Sequence, residues 1–281
     1  MRTVWAIACA AALAPAGARG DVVRYTSSPA SFPAVTSGLV SEFGTAGFPP
    51  LTETTQSFYQ VVGSGPVSLT FRFKDDSGAF QFNFGFYRNT PALQAIDTST
   101  AAGKVAYATM ALAPGNATLV FDDRIDDPGA RRTLTANGGD EIGFFLIPDD
   151  TLARFQTNPG LFAVNGVGSV TRGDPPPLRW PLFGLNDANP GGMDQLMSFS
   201  GVSAVTGQPT NLFAWEDLTR ATIPGNPFPS DNSFGDLIFA IEGIQAVAAV
   251  PEPGSVVLAG VGLIALAGFA RRRRARDRQA K

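Results

Sequence analysis

Hydrophobic and polar residues alternate most strictly between Val67 and Arg88. Val67, Leu69, Phe71 and Phe73 are interleaved with Ser68, Thr70, Arg72 and Lys74. After Asp75-Asp76-Ser77-Gly78, the residues Phe80, Phe82, Phe84 and Phe86 are interleaved with Gln81, Asn83, Gly85 and Tyr87. A period of two belongs to a strand with one buried face. Two such runs across four turn residues predict a β-hairpin with an aromatic core face and a wet outer face. Strict alternation assigns the phenylalanine row to core packing rather than to a ligand platform. Further strands are predicted at 104–112, 118–121, 141–147, 194–200, 211–215 and 236–244, separated by turn sequences such as Ala113-Pro114-Gly115-Asn116, Ala136-Asn137-Gly138-Gly139 and Pro224-Gly225-Asn226-Pro227. One short helix is expected over 150–158, capped by Asp150 and ended by Pro159. No apolar period of 3.6 runs long enough for a helical domain. The expected body, residues 66–249, is an all-β, antiparallel β-sandwich of jelly-roll-like form. Ahead of it, a Ser/Thr/Pro-rich segment, 21–65, is expected to supply edge strands or an extended arm.

The two ends follow other patterns. Met1-Arg2-Thr3 precedes an apolar run from Val4 to Ala14 and then the small residues Ala16-Gly17-Ala18. This is the layout of a secretory signal peptide, assigned to residues 1–20, with an apolar run too short to span a bilayer. At the other end, Val250-Pro251-Glu252-Pro253 precedes an apolar run over 254–270, followed by Arg271-Arg272-Arg273-Arg274 in a basic tail, 271–281. Such a run, wound as a helix, rises roughly 25 Å, close to the thickness of a hydrocarbon core. It predicts a single C-terminal transmembrane helix. The arginines resist entry into lipid and fix the tail in the cytoplasm, so the body is expected to face outward.

Composition narrows the chemistry. With 22 Phe and only 16% charged residues among 281, the chain is not a disordered one, and 31 Gly and 22 Pro argue against a helical bundle. There is no histidine, and the one cysteine, Cys9, sits inside the predicted signal. Those absences exclude Ser-His-Asp and Cys-His triads, zinc fingers and a disulfide framework in the body. The net charge of −3 conceals an asymmetry. Setting aside nine bases and two acids at the two ends leaves 12 Lys and Arg against 22 Asp and Glu in the body, a net of −10. So acidic a body is no partner for nucleic acid and suits divalent cations.

The succession of Pro-Glu-Pro, apolar helix and arginine cluster resembles the PEP-CTERM sorting signal of Gram-negative bacteria that make extracellular polysaccharide. The resemblance implies recognition by an exosortase, a membrane protease-transpeptidase that processes the chain near Pro251-Glu252-Pro253. The body would be held at the membrane transiently, then passed to the cell surface or the extracellular polysaccharide matrix. The sorting residues are Val250, Pro251, Glu252, Pro253, Arg271, Arg272, Arg273 and Arg274. The two prolines keep the processed segment extended and accessible.

Candidate site chemistry lies in acidic turns of the second half. Asn186, Asp187 and Asp194 surround a glycine pair, and Glu216-Asp217 and Asp231 to Asp236 follow later. Hard cations such as Ca²⁺ take six to eight oxygens from flexible Asp/Asn/Gly-rich loops, so Asn186, Asp187, Asp194, Glu216, Asp217, Asp231 and Asp236 are the candidate ligands. The same stretches resemble the DUF4114 type of bacterial extracellular domain in Asn186-Asp187, Trp215-Glu216-Asp217-Leu218, Asp231, Phe234, and Asp236 with Leu237-Ile238-Phe239, and in Gly139-Asp140-Glu141-Ile142-Gly143-Phe144-Phe145-Leu146. The chain departs from that pattern at Gln195, Ser233 and Gly235, which removes possible ligand groups. The expected function is a non-catalytic surface or matrix protein, exported and sorted through its tail, that binds Ca²⁺ or polysaccharide. The alternative is a secreted glycoside hydrolase, which needs only two carboxylates about 5 to 9.5 Å apart. Against it, the body contains no Gly-x-Ser-x-Gly elbow, Ser-x-x-Lys or dinucleotide fingerprint.

Overall fold

The computed structural model describes residues 33–44, 52–53, 57–76, 81–160, 180–189, 192, 195–217 and 234–247. They belong to the compact unit Gly20–Ala248. The predicted signal, 1–20, and the sorting segment, 250–281, lie outside the described residues, as do Asp194 and Asp231. Among the described residues, no helix is long and apolar enough to cross a membrane.

In chain order the elements are helix α1 (Pro33–Phe43), strands β1 (Thr52–Glu53), β2 (Tyr59–Val61), β3 (Gly65–Asp75) and β4 (Phe82–Arg88), helices α2 (Pro91–Gln94) and α3 (Ala101–Ala111), strands β5 (Ala117–Asp122), β6 (Arg131–Gly138) and β7 (Glu141–Pro148), helix α4 (Leu152–Thr157), strand β8 (Leu182–Phe183), a 3₁₀ turn (Asn186–Ala188), and strands β9 (Leu196–Val202), β10 (Pro209–Trp215), β11 (Leu237–Glu242) and β12 (Ile244–Ala246). The first sheet has the order β1-β9-β10-β11-β3-β6, and the second β12-β2-β7-β4-β5, with β8 paired to β7. The strand pairings are antiparallel. The sheets pack face to face over an aromatic core to which both contribute, with Phe84 and Phe144 of the second against Phe213 and Phe239 of the first. The all-β, two-sheet antiparallel expectation holds.

The expected hairpin does not form. β3 bonds to β11 and β6, whereas β4 bonds to β5 and β7, so the two runs lie in different sheets. They face each other across the core instead: Phe71 stacks on Phe86 at 5.8 Å and Phe73 meets Phe82 at 5.9 Å. Alternation fixes which face is buried but not which backbone supplies the hydrogen bonds. A hairpin's aromatic face would still need a covering layer, and opposed strands cover one another.

Nor is the outer face of β4 wet. Asn83 and Tyr87 are buried, because α3, α4 and the β8 region cover this face with a second apolar cluster that includes Leu93, Tyr107, Phe155 and Phe183. Tyr87 and Tyr107 share a hydrogen bond of 2.7 Å there, and burial pushes both phenols well above their ordinary pKa. The predicted strand at 104–112 is in fact α3. Thr100 caps it by accepting from the Gly103 amide at 3.0 Å, the segment is rich in Ala, and Tyr107, Ala108 and Ala111 recur at helical spacing on the buried side. The short helix expected over 150–158 forms as α4, but Thr151 rather than Asp150 is its cap. Asp150 instead accepts from the Thr151 amide and pairs with Arg154.

The segment 21–65 supplies more than edges. β1 lies at the edge of the first sheet, but β2 sits between β12 and β7. α1 lies on the outer face of the first sheet, where Val35 and Leu39 join Leu212, Ala214, Ile238 and Ala240 in a third apolar cluster. Glu42, near its end, is fully buried and pairs with Arg72 and Lys74 of β3, while Arg72 also pairs with Glu242.

Candidate metal centre

β10 and β11 are antiparallel neighbours, with Trp215 opposite Leu237. Their register brings the residues just after β10 beside those just before β11. Glu216 and Asp217 therefore meet Asp236 at one end of the first sheet, although some twenty positions separate them along the chain. The backbone closes this end tightly: the Asp236 amide donates to the Trp215 carbonyl at 3.2 Å, and the Glu216 amide donates to the Gln195 carbonyl at 3.1 Å. Gln195 is fully buried and returns a hydrogen bond from Nε2 to the Glu216 carbonyl at 3.2 Å. Gln195, one of the three positions that depart from the DUF4114 pattern, is thus a backbone strut. The Asp217 amide donates to Oδ2 of Asp236 at 3.0 Å.

Glu216, Asp217 and Asp236 each present a carboxylate oxygen within 4.8 Å of the others. Their exposures of 0%, 2% and 7% put all three out of water. Two unit charges at that separation repel by roughly 3 kcal/mol at an effective dielectric of about 20, a repulsion that a cation placed among the three would offset. Two oxygens each about 2.3–2.6 Å from one Ca²⁺ lie no more than about 5 Å apart, which matches this spacing. Phe234, just ahead of β11, holds a left-handed φ of 49° and is fully buried, a strained entry that the packing around it maintains.

The first acidic turn is built differently. Asn186 and Asp187 lie in the 3₁₀ turn beside β8, and Asp187 is not part of the carboxylate group. The turn already has a positive charge on its backbone: Lys104 Nζ of α3 donates to the carbonyls of Asp187 and Asn189, the latter at 2.8 Å. Asn189 locks the turn to β8 with a reciprocal pair of 2.7 Å hydrogen bonds to the Phe183 amide and carbonyl. Lys104 gave no signal in the sequence, because it lay in a segment expected to be a strand.

Of the seven candidate ligands, three converge and two occupy a separate turn. Asp194 and Asp231, like the sorting residues Val250, Pro251, Glu252, Pro253 and Arg271 to Arg274, lie outside the described residues. Another acidic run, 122–127, is packed against β6. Asp126 is buried, accepts from the Asp122 amide at 3.0 Å and pairs with Arg132 of β6.

Comparison with protein families finds two matches. Residues 137–244 match the model described as domain of unknown function DUF4114, which spans β7 to β11 and all three converging acids. Residues 249–274 match the PEP-CTERM protein-sorting motif. No match was found among curated proteins.

Proposed function

From a chain that carries a DUF4114 domain and a PEP-CTERM protein-sorting motif, we propose a non-catalytic surface protein whose sandwich binds Ca²⁺ through Glu216, Asp217 and Asp236 and resides in the extracellular polysaccharide layer. The sorting motif makes this an exported protein with exosortase as its processing partner. The observation that carries the ion is the buried carboxylate group: three acids with oxygens within 4.8 Å of one another offer the kind and spacing of oxygen donors that Ca²⁺ takes. Burial also supports a structural rather than a catalytic role. Acids with exposures of 7% or less do not face an open cleft, as the two carboxylates of a glycosidase must.

In this reading Glu216 and Asp217 hold the end of β10 and Asp236 the start of β11, so the ion ties two central strands of a sheet that has no cross-links in its body. The remaining oxygens would come from backbone carbonyls or water. Thermal melts of the full chain with calcium and with chelator test it. A ligand bound only to the folded state raises the midpoint by RT ln(1 + [L]/Kd), so calcium at a hundredfold Kd adds about 2.7 kcal/mol. Glu216→Gln and Asp236→Asn should abolish the difference, and identical melts of the parent protein overturn the ion. Sorting is read separately, by mass spectrometry of the mature C-terminus. Recovery of intact Arg271 to Lys281 from surface material overturns it.

A further inference from the structure

We propose that the cleft where the two sheets part, between β5 and β6, is a subsite for one unit of a neutral saccharide. The core row on the inner face of β4 ends here: Phe82, Phe84 and Phe86 are followed on the same face by the exposed Arg88. Thr118 stands opposite Phe86, Ile142 opposite Arg88, and the turn from Asn137 to Asp140 forms the far wall. The cavity has a volume of about 190 Å³, below the about 300–1,000 Å³ of a drug-sized site and suited to one ring. Phe86 and Ile142 form an apolar floor, and Arg88, Asn116, Thr118, Thr135, Asn137 and Asp140 supply polar walls.

Those walls are held from behind. Arg88 Nη2 donates to the Gly115 carbonyl at 2.9 Å, and Asn116 Nδ2 donates to the carbonyls of Arg88, Met110 and Ala111 at 3.3, 3.3 and 3.0 Å. Gly138 lies so close to the Gly63 backbone that a Cβ would sit 2.3 Å from its carbonyl carbon. Yet among the described residues the side chains of Thr118, Thr135, Asn137 and Asp140 make no hydrogen bond with other protein groups. Arg88 and Asn116 are thus fixed beside the hollow before a ligand arrives, which lowers the cost of binding, and the other four side chains keep their donors and acceptors for it.

The charge balance selects the ligand. With one guanidinium and one carboxylate, an anion meets Asp140, a cation meets Arg88, and an apolar group leaves hydroxyls and an amide unsatisfied. Vicinal hydroxyls satisfy both, donating to Asp140 while accepting from Arg88. Thr135, Asn137 and Arg88 are exposed, so the cleft opens to solvent and a polymer can continue beyond it. The proposal rests on the surface-protein reading only for the source of the saccharide.

The test is titration of the detergent-solubilised full-length chain with neutral gluco-, manno- and galacto-oligosaccharides, followed by saturation-transfer NMR, with polygalacturonate as the anionic comparison. The expected result is binding of at least one neutral series at millimolar concentration or better. Arg88→Ala and Asp140→Asn should each weaken it at least fivefold, and Thr135→Phe, which fills the hollow, should abolish it. All three side chains reach solvent, so the circular dichroism spectrum should be unchanged. No neutral binding, a loss below fivefold in either polar variant, retained binding in the filled variant, or a preference for polygalacturonate overturns the subsite. Any of those results leaves the sorting and ion readings intact, since they rest on the mature C-terminus and the calcium melts.

Discussion

Replacing Glu42 by Gln measures how firmly α1 is fastened to the first sheet. Glu42 is fully buried, with one oxygen 2.5 Å from Arg72 Nη2 and the other 2.5 Å from Lys74 Nζ. Removing one partner of a buried ion pair costs about 3–5 kcal/mol, because the remaining charge is stranded away from water. Two features place this case at the low end. Arg72, with a side chain 5% exposed, keeps Glu242, and Lys74, at 15%, has some access to solvent. A loss of about 3 kcal/mol follows. At about 2–4 °C per kcal/mol for a domain of this size, the thermal midpoint should fall by about 6–12 °C. The assay is thermal unfolding at pH 7 followed by circular dichroism. The triple change Glu42→Met, Arg72→Met, Lys74→Met should recover most of the loss, since apolar groups of similar volume often replace a buried ionic cluster without penalty. A midpoint within about 2 °C of the parent for Glu42→Gln refutes the reasoning and detaches α1 from the stable core.

Gly143→Ala should cost about 1–3 kcal/mol in urea unfolding, because its Cβ would sit 2.5 Å from the ring of the fully buried Tyr87; an unchanged midpoint would contradict that packing. The raised pKa values of Tyr87 and Tyr107 make the unfolded chain ionise first. Stability should therefore fall as pH rises past about 10, with a shallower fall in the Tyr87→Phe, Tyr107→Phe double variant. Burial pushes the Glu242 carboxyl up, but hydrogen bonds from Thr206 and Arg72 and the charges of Arg72 and Arg131 outweigh it and hold it below its ordinary range. Its contribution is thus full above the unfolded value and lost as pH falls through the folded one. Glu242→Gln should flatten the acid limb of the stability profile, and an unaltered limb would rule this out.

How much of this was legible in the sequence depends on what each signal physically encodes. The alternation in β3 and β4 correctly identified Phe71, Phe73, Phe82, Phe84 and Phe86 as core, because a buried face imposes its period on the chain. It could not identify hydrogen-bond partners, since β3 draws them from residues 131–138 and 237–242. α3 was missed because Val105 and Tyr107 also fit a period of two, while the decisive signal was the Thr100 cap and the alanine content. β6 escaped notice because it is an edge strand with largely exposed side chains. For the site, Trp215-Glu216-Asp217 and Asp236 were conspicuous as acids at strand ends. Their burial together, and the Lys104 ammonium on the other turn, depend on tertiary packing that no local pattern reports.

The position of β11 has a consequence for how the molecule is made. It lies between β10 and β3, inside the first sheet, yet it is among the last described segments of the chain. A polypeptide threaded through a translocation pore amino end first leaves β3 waiting on the far side without that neighbour until residues 237–242 emerge. Such distant pairings close slowly and late. Only a few positions further on comes the sorting motif, from residue 249. The strand that completes the first sheet thus emerges only after nearly all of the body has passed, immediately ahead of the sorting motif, so β3 waits for its partner through almost the whole of export.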